Sequence, residues 1–330
     1  MVDWQLMVAS VRHAAYVFDS ARHMQKSVLK IVVSTSCSLL AAGVWAFAAE
    51  PVTASSPDIT RPSPTPEVVQ GIRIPALRPR KEVEKILTAV KPMSDAEQKR
   101  PFHIVLCAAV KDAGHSGAGF HDYPIWRGRW TKILAQVPGV TTEPADQWPT
   151  EEQFKKADVI AFFHDNPVWA ADKLPAMDAF LERGGGMAFL HFSMNGGRDP
   201  KPLTARLGRA WTGNKWRRGD ITLQYSPHAI TAGFPKSDVR PEEPYWKLHG
   251  DGAGTTTLAA TVEDGAPQPQ VWTVERGAGR IFVCIPGHFT WTHDDPLYRV
   301  LVYRGLCWAG QRPLDRLDSA VFTGARVTDP

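Results

Sequence analysis

The sequence predicts an α/β protein with a mainly parallel, doubly wound sheet and an antiparallel extension. Between residues 101 and 192, short apolar runs that suit strands buried on both faces alternate with amphipathic helical segments. Between residues 219 and 277, short strand-like segments follow one another without helices, as in antiparallel sheets. A last buried strand and a long helix then return the chain to the parallel part of the sheet.

The first half of the domain predicts strands and helices in strict alternation. Apolar runs predict strands at 103–110, 139–146, 158–164 and 187–192. Helical patterns are expected near 124–137, 150–156 and 174–183. Pro175 lies in the first turn of the third helix, where a missing N–H is harmless, and Gly184 begins the turn that ends this helix.

The second half predicts the antiparallel extension and the closing elements. The expected strands are 219–225, 242–248, 255–263, 269–277 and 281–285. The segment 296–310 predicts the closing helix, because Leu297, Val300, Leu301 and Leu306 form an apolar stripe.

The N-terminal 48 residues are predicted to lie outside the fold. Met24 begins a short basic segment, an apolar run from Ile31 to Ala49 follows, and small residues precede a cleavage point after Ala48. This layout is typical of a secretory signal peptide, with Met24 as a second candidate start. Export to the periplasm or the medium is expected. Retention of the apolar run as a membrane anchor is the alternative.

The remaining chain divides into three parts. Residues 49–100 predict a tether followed by a short helix near 81–91, because residues 50–70 are rich in Pro, Ser and Thr. Residues 101–312 form the folded domain, and residues 313–330 form a C-terminal tail.

Composition narrows the classes of partner. The formal net charge of the 330-residue chain is +4, and no block of Lys and Arg stands out, which argues against nucleic-acid binding. Cys107, Cys284 and Cys307 lie in apolar patterns and are expected to be packed thiols rather than disulfides. The chain contains 12 Trp residues, and most are expected in the core, although aromatic rings also line sugar sites.

Polar residues gather where the predicted parallel strands end. Ligands of open parallel sheets bind at this edge, beyond the carboxyl ends of the strands. The residues after the four buried strands are His115, His121 and Asp122; His164, Asp165 and Asn166; His191, Ser193 and Asn195; and His288, Trp291, His293 and Asp294. Some of these histidines serve as helix caps in the structural alternative, but four strand ends that all supply histidine favour an active-site edge.

Two kinds of chemistry stay open at this edge. Ser193 lacks the Gly-x-Ser-x-Gly pattern of a serine hydrolase, and the cysteines lie within strands or the last helix. The remaining chemistries are acid–base catalysis by histidine and carboxylate, or a divalent metal held by the same groups. The candidate metal ligands are His121, His191 and His288.

Several segments resemble the ThuA-like (trehalose-utilisation protein-like) family over about residues 101–312. They are GFHDYPIWRGRWTKIL, LERGGGMAFLHFSMNGG, HAITAGF, EEPYW and GAGRIFVCIPGHFTWTHDDPLYRVLVYRGLCWAG. The resemblance implies a flavodoxin-like, three-layer sandwich related to the class I glutamine amidotransferases, and a role near carbohydrate metabolism.

The resemblance also assigns residues. His191 takes the place of the amidotransferase cysteine at the strand-end elbow, and His288 matches the catalytic histidine, but Phe289 and Thr290 replace the Pro-Glu pair that follows it. A glutaminase is therefore not expected. Glu243 and Tyr245 match the family's Asp-Glu-x-Tyr-like segment, which makes Glu243 the preferred carboxylate.

These assignments predict an exported enzyme that processes a glycoside or a keto-sugar. His191 or His288 is expected to act as base, with Glu243 as partner acid or orienting group. Trp126, Trp291 and Tyr245 are expected to stack on the sugar. The further ligand-binding candidates are His121, Asp122, His164, Asn195 and Asp294. The alternative is a non-catalytic carbohydrate-binding or assembly protein on a degenerate amidotransferase fold.

Overall fold

A nine-stranded mixed sheet forms the centre of the computed structural model, which describes residues 58–111, 117–164 and 172–328. The predicted signal peptide and residues His115, Asp165 and Asn166 lie outside these described residues. All described residues belong to one compact unit, Ala54–Pro330.

The elements follow one another as predicted for most of the chain. In chain order the strands are β1 (Val68–Val69), β2 (Ile72–Arg73), β3 (Arg78–Pro79), β4 (Phe102–Ala108), β5 (Val140–Asp146), β6 (Val159–Phe163), β7 (Gly186–Leu190), β8 (Gly219–Tyr225), β9 (Ser237–Glu242), β10 (Thr255–Glu263), β11 (Ala266–Arg276), β12 (Gly279–Cys284) and β13 (Val327–Thr328). The helices are α1 (Arg80–Leu87), α2 (Asp95–Lys99), α3 (Tyr123–Leu134), α4 (Glu151–Lys156), α5 (Leu174–Glu182), α6 (Lys201–Leu207) and α7 (Pro296–Ala309).

The parallel half of the sheet has the strand order β5-β4-β6-β7-β12. In sequence order this is 2-1-3-4-5, the order of flavodoxin-like proteins. Apolar side chains of α3 and α7 bury one face of this half, and those of α5 and α6 bury the other. The predicted three-layer α/β architecture with a mainly parallel sheet is therefore confirmed.

The antiparallel half continues from β12 in the order β11-β10-β8-β9, which confirms the predicted extension. One predicted strand, 242–248, differs: β9 ends at Glu242 and the chain continues as a loop. Pro244 has no N–H to donate to a sheet ladder, and Lys247 has a left-handed φ of 53°, so this segment cannot extend the strand. The loop turns towards the edge where the parallel strands end.

The helices α2 and α6 were not among the predicted elements. Ser94 caps α2 by accepting the N–H of Glu97. Pro202 lies in the first turn of α6, and Gly208 ends that helix with a φ of 77°. These are ordinary start and stop signals.

The segment 58–79, here called the N-terminal arm, packs on the domain, and it includes residues 58–70 of the stretch 50–70 that was predicted to be a tether. Strands β1 and β2 form a hairpin with Gln70 and Gly71 in its turn, and β3 pairs in parallel with β13 near the C-terminus. Val69 is buried against Phe120, Phe289 and Trp291. The alternating apolar residues of VVQGIRI explain the difference, because they give the hairpin one face that packs on the domain.

The three described cysteines confirm the prediction of packed thiols. Cys107, Cys284 and Cys307 are free and buried, and burial raises the pKa of each thiol. Across the described ranges, no helix is long and apolar enough to cross a membrane.

Candidate metal centre

Three histidines from three strand ends converge at the carboxyl edge of the parallel sheet. His191 follows β7 directly, His288 follows β12, and His121 lies between β4 and α3. His121 Nε2 lies 2.9 Å from His191 Nε2 and 3.0 Å from His288 Nδ1. His288 Nδ1 lies 3.3 Å from His191 Nε2. The convergence follows from topology, because parallel neighbouring strands end at the same edge.

Two of these histidines adopt a strained backbone. The φ angles of His121 and His191 are 47° and 51°, in the left-handed region that side chains other than glycine seldom occupy. Gly287 makes room next to them: with a φ of 140°, a Cβ there would lie 2.9 Å from Tyr298 Oη and 3.4 Å from the Cβ of His191. Such strain persists where the surroundings hold it in place, and it concentrates at functional sites.

The hydrogen bonds at the far side of two rings fix their tautomers. His191 Nδ1 lies 2.8 Å from the carbonyl oxygen of Ile285, and His288 Nε2 lies 2.7 Å from Gln70 Oε1. Both oxygens accept, so each of these nitrogens carries the proton. His191 Nε2 and His288 Nδ1 therefore direct lone pairs at the point where the three rings meet.

Glu243 adds a carboxylate to the three imidazoles. Its Oε1 lies 3.5 Å from His288 Nδ1 and 3.8 Å from His191 Nε2. Its Oε2 accepts a hydrogen bond from Arg218 Nε at 2.8 Å. Burial raises the pKa of Glu243 to about 6, and the Arg218 guanidinium opposes this effect. The Tyr245 hydroxyl lies 3.1 Å from Glu243 Oε1 and 2.8 Å from His191 Nε2.

This arrangement has the dimensions of a metal site. Four ligand atoms, one from each of His121, His191, Glu243 and His288, lie within 4.8 Å of one another, and none of these residues is more than 4 % exposed. Ligands placed about 2.0–2.1 Å from a tetrahedral Zn²⁺ lie about 3.3 Å apart, close to the separations of the three nitrogens. Imidazole donors favour a transition metal over Ca²⁺ or Mg²⁺.

Two buried carboxylates hold the loops that carry the histidines. Asp122 Oδ2 accepts the N–H of Gly119 at 2.9 Å and the hydroxyl of Thr290, and its Oδ1 pairs with Lys111 Nζ at 2.6 Å. Glu242 Oε2 accepts the N–H of His288 at 3.1 Å. Asp122 and Glu242 thus position the site from outside the group of four.

The other predicted ligand-binding residues lie outside the group of four, although Asp294 lines the same small cavity as His288. His164 is buried beside Phe162, and burial lowers its pKa to about 3. Asn195 accepts the N–H of Gly197 at 2.9 Å. Asp294 Oδ1 accepts a hydrogen bond from Arg299 Nη2 at 2.7 Å, so Asp294 is part of a buried network of charged side chains.

The predicted sugar-stacking role of three aromatic residues does not fit their burial. Trp126 and Trp291 are 3 % and 2 % exposed, and Tyr245 is fully buried. The Tyr245 ring stacks on Trp211 at a centroid distance of 4.0 Å, and Trp291 stacks on Phe289 at 4.3 Å. Another side chain therefore covers one ring face of Tyr245 and one of Trp291, whereas Trp126 lines the small cavity beside His288.

Sequence reasoning missed three residues at or near the site. Gln70 reaches His288 from the arm, and the hairpin pattern around it was a usable signal. Arg218 binds Glu243, and its guanidinium lies 4.7 Å from the ring centre of Trp216. Trp216 is 44 % exposed. We find no sequence signal that singles out Arg218 or Trp216.

Comparison with known proteins agrees with this architecture. The model of the ThuA family, described as trehalose utilisation, matches residues 116–309. A ThuA-like protein from Bacteroides uniformis ATCC 8492 has a TM-score of 0.51 at 17% identity, with 66% of this chain and 95% of that chain covered. A ThuA-like protein from Parabacteroides merdae ATCC 43184 has a TM-score of 0.49 at 15% identity, with 64% and 90% covered. No protein with a curated description matches the sequence.

The strand order defines an α/β protein of the flavodoxin-like class. His191 begins a short 3-10 helix (His191–Met194) directly after β7, with a left-handed backbone. The chain belongs to the ThuA family.

Proposed function

We propose that the protein is a metal-dependent enzyme that processes a carbohydrate, a glycoside or a keto-sugar, and that it acts after export. The observation that carries this proposal is the convergence of three imidazole nitrogens and one carboxylate oxygen within 4.8 Å. Buried titratable groups that gather at the carboxyl edge of a parallel sheet are typical of an active site.

The residues divide into ligands and proton-transfer groups. His121, His191 and His288 would hold a divalent cation, which supplies a Lewis acid that polarises a carbonyl or hydroxyl oxygen of the substrate. Three protein ligands leave a fourth position for a substrate oxygen, as in catalytic zinc sites. Glu243 and Tyr245 are then the groups within reach to move a proton at the carbon or oxygen that reacts.

This division changes the role expected for the histidines. A lone pair that binds a cation cannot also remove a proton, so His191 and His288 are ligands in this proposal and not bases. The Tyr245 hydroxyl is in contact with both Glu243 and His191, and Arg218 holds the second oxygen of Glu243. Proton transfer is therefore assigned to the Glu243–Tyr245 pair.

Support for a carbohydrate comes from the family and from the side of the site that faces solvent. The family description is trehalose utilisation. The Arg218 side chain is 29% exposed and links Glu243 to the exposed indole of Trp216. Apolar ring faces next to hydrogen-bonding groups suit a sugar. Trp216 thus takes the stacking role in place of Trp126, Trp291 and Tyr245.

Glutamine hydrolysis through a thioester is not proposed. His191 occupies the elbow position, and Cys107 and Cys284 are fully buried within strands. Burial raises the pKa of both thiols, which opposes nucleophilic thiolate formation.

One observation favours the alternative of a carbohydrate-binding or assembly protein without catalysis. The cavity beside His288 measures about 10 Å³, room for a single water molecule, and the arm lies over the centre. In the enzyme, a substrate has to reach the centre from the Arg218 side or displace the arm.

A paired assay separates the two functions. The purified full-length protein is stripped with a chelator, reloaded with Zn²⁺ or Mn²⁺, and incubated with a panel of keto-sugars and glycosides. We expect turnover of at least one substrate by the reloaded protein and none by the stripped protein. Saccharide binding in calorimetry without turnover in either state would favour the binding protein instead.

A further inference from the structure

The N-terminal arm contributes a side chain to the candidate metal centre. Gln70, in the turn between β1 and β2, places its Oε1 2.7 Å from His288 Nε2. This nitrogen lies on the opposite side of the ring from Nδ1, which faces His121 and His191. An element outside the parallel sheet therefore touches the outer side of one candidate ligand.

The backbone of the turn indicates that the glutamine side chain has a purpose there. Gln70 has a φ of 50° and Gly71 a φ of 81°, the pair of positive values found in a type I′ hairpin turn. Asn, Asp and Gly are favoured at the first of these positions, and glutamine is not. Gln70, His121 and His191 are all strained in this way, and all three contact the His288 ring.

The hairpin is held against the domain, so Gln70 has a defined place. Val69, its neighbour, is 3 % exposed and packs with Phe120 and Phe289. A Cβ at Gly119 would lie 2.5 Å from Val69 Cγ2, which shows how closely the loop before His121 meets the arm.

We propose that Gln70 is a positioning residue of the metal centre. By accepting the Nε2 proton of His288, it fixes the ring orientation and the tautomer that leaves the Nδ1 lone pair for the cation. Partners of this kind orient histidine ligands and raise their basicity. The inference rests on the proposed function, because it gives Gln70 a role only if a cation binds at Nδ1.

The most informative variant is Gln70→Gly, which removes the side chain but suits the positive φ. The full-length protein is titrated with Zn²⁺ in competition with a chelator, and the melting temperature of the metal-free protein is measured alongside. We expect the variant to bind Zn²⁺ about 10–100-fold more weakly than the wild type, the loss that is typical when a residue that hydrogen-bonds a metal-binding histidine is removed. The melting temperature of the metal-free variant should be unchanged or higher.

Two further variants complete the experiment. Gln70→Glu keeps an acceptor opposite His288 Nε2 and should bind Zn²⁺ within a few-fold of the wild-type affinity. Gln147→Gly is the matched control, because Gln147 has a φ of 60° and an exposed side chain. It should leave Zn²⁺ affinity unchanged.

The outcomes distinguish the two hypotheses. If the wild-type protein binds no Zn²⁺, the metal centre of the proposed function is wrong, and the role of Gln70 with it. If the wild type binds Zn²⁺ and Gln70→Gly binds it equally tightly, the metal centre stands and the positioning role is overturned. A drop in metal-free stability in Gln70→Gly, or no recovery in Gln70→Glu, would assign Gln70 a structural role and also overturn the inference.

Discussion

At the residue scale, the position of a histidine in the sheet decides which chemistry it can take part in. His103 lies within a strand of the parallel sheet, and His191 directly follows one. His103, at the amino end of β4, pairs its Nδ1 with the hydroxyl of Thr141 at 2.7 Å. His191, at the carboxyl end of β7, donates from Nδ1 to Ile285 and meets two other histidines through Nε2. A histidine at the amino edge of the sheet thus pairs with a neighbouring side chain, whereas a histidine at the carboxyl edge is a candidate metal ligand.

Replacement of His191 tests this difference. His191→Asn suits the left-handed backbone, because Asn tolerates positive φ, but its shorter side chain cannot reach the centre. We expect Zn²⁺ affinity to fall by more than the roughly 10–100-fold typical of losing a supporting partner. His103→Ala is the matched control and should leave Zn²⁺ affinity unchanged in the same titration. Equal affinities of the two variants would remove His191 from the ligand set.

Residue-scale predictions from sequence succeeded where topology alone decides proximity. His121, His191 and His288 were predicted to share an edge because each follows a parallel strand, and Glu243 was carried over from the family resemblance. Distances and tautomers depend on side-chain contacts that no periodicity encodes. The stacking role given to Trp126 and Trp291 depends on the same kind of contact, since the sequence does not show whether a tryptophan at the start of a helix or after a strand turns its ring to solvent or to the core.

At the element scale, the N-terminal arm shows how composition misleads. Its Pro, Ser and Thr content is typical of a tether, but a short apolar alternation and a Gln-Gly turn suffice to form a hairpin once a surface is present. Buried charges fix the arm further. Arg129 Nη2 donates to the Arg61 carbonyl at 2.7 Å, and Asp294 Oδ2 accepts the Ser63 N–H at 2.6 Å.

Neutralising Asp294 should therefore weaken the whole anchor. In the wild type, the Asp294 carboxylate lies 2.7 Å from the buried guanidinium of Arg299 and 3.6 Å from that of Arg129. In Asp294→Asn both guanidinium groups lose this negatively charged partner. Breaking a buried pair in this way costs about 3 kcal/mol or more, which lowers the melting temperature by roughly 5–10 °C. Differential scanning calorimetry of the metal-free protein measures this loss.

The matched control for that substitution is Asp178→Asn. Asp178 pairs with Arg206 at 2.5 Å, but its side chain is 51% exposed. Surface pairs contribute about 0–1 kcal/mol, so this variant should melt close to the wild type. Similar melting temperatures for the two variants would contradict the role of Asp294 as a buried anchor.

At the scale of the whole molecule, the order of elements was predictable because strand and helix periods alternate and buried parallel strands read as continuous apolar runs. The loop after Glu242 was not predictable, because its acidic and aromatic residues alternate as they do in a strand. Pro244 nevertheless ends the hydrogen-bond ladder of the sheet there. The path of the two chain ends was also hidden. Leu317, Ala320 and Val321 join the core beside α7, and β13 pairs with β3.

The C-terminal segment gives the folded protein a predictable response to pH. Burial raises the pKa of Asp318 to about 6, above its ordinary value of 3.8. Between these values the folded state holds the proton more tightly than the unfolded state, so this residue's contribution to stability falls as pH rises from about 4 to 6.

Asp318→Asn removes that contribution. We expect the free energy of unfolding of the variant, measured relative to that of the wild type, to be about 1 kcal/mol higher at pH 7.5 than at pH 4.5, because the wild type loses stability over this range and the variant does not. Urea denaturation at the two pH values measures the difference. A difference between variant and wild type that does not change with pH would show that the carboxyl titrates alike in both states.

The most direct test of the central claim is elemental analysis of the purified full-length protein after loading with Zn²⁺ and dialysis, with melting temperatures recorded before and after chelation. We expect about one equivalent of metal per chain, and a lower melting temperature once it is removed, because a ligand that binds only the folded state stabilises it. Substoichiometric metal together with identical melting temperatures would contradict a metal centre held by His121, His191 and His288.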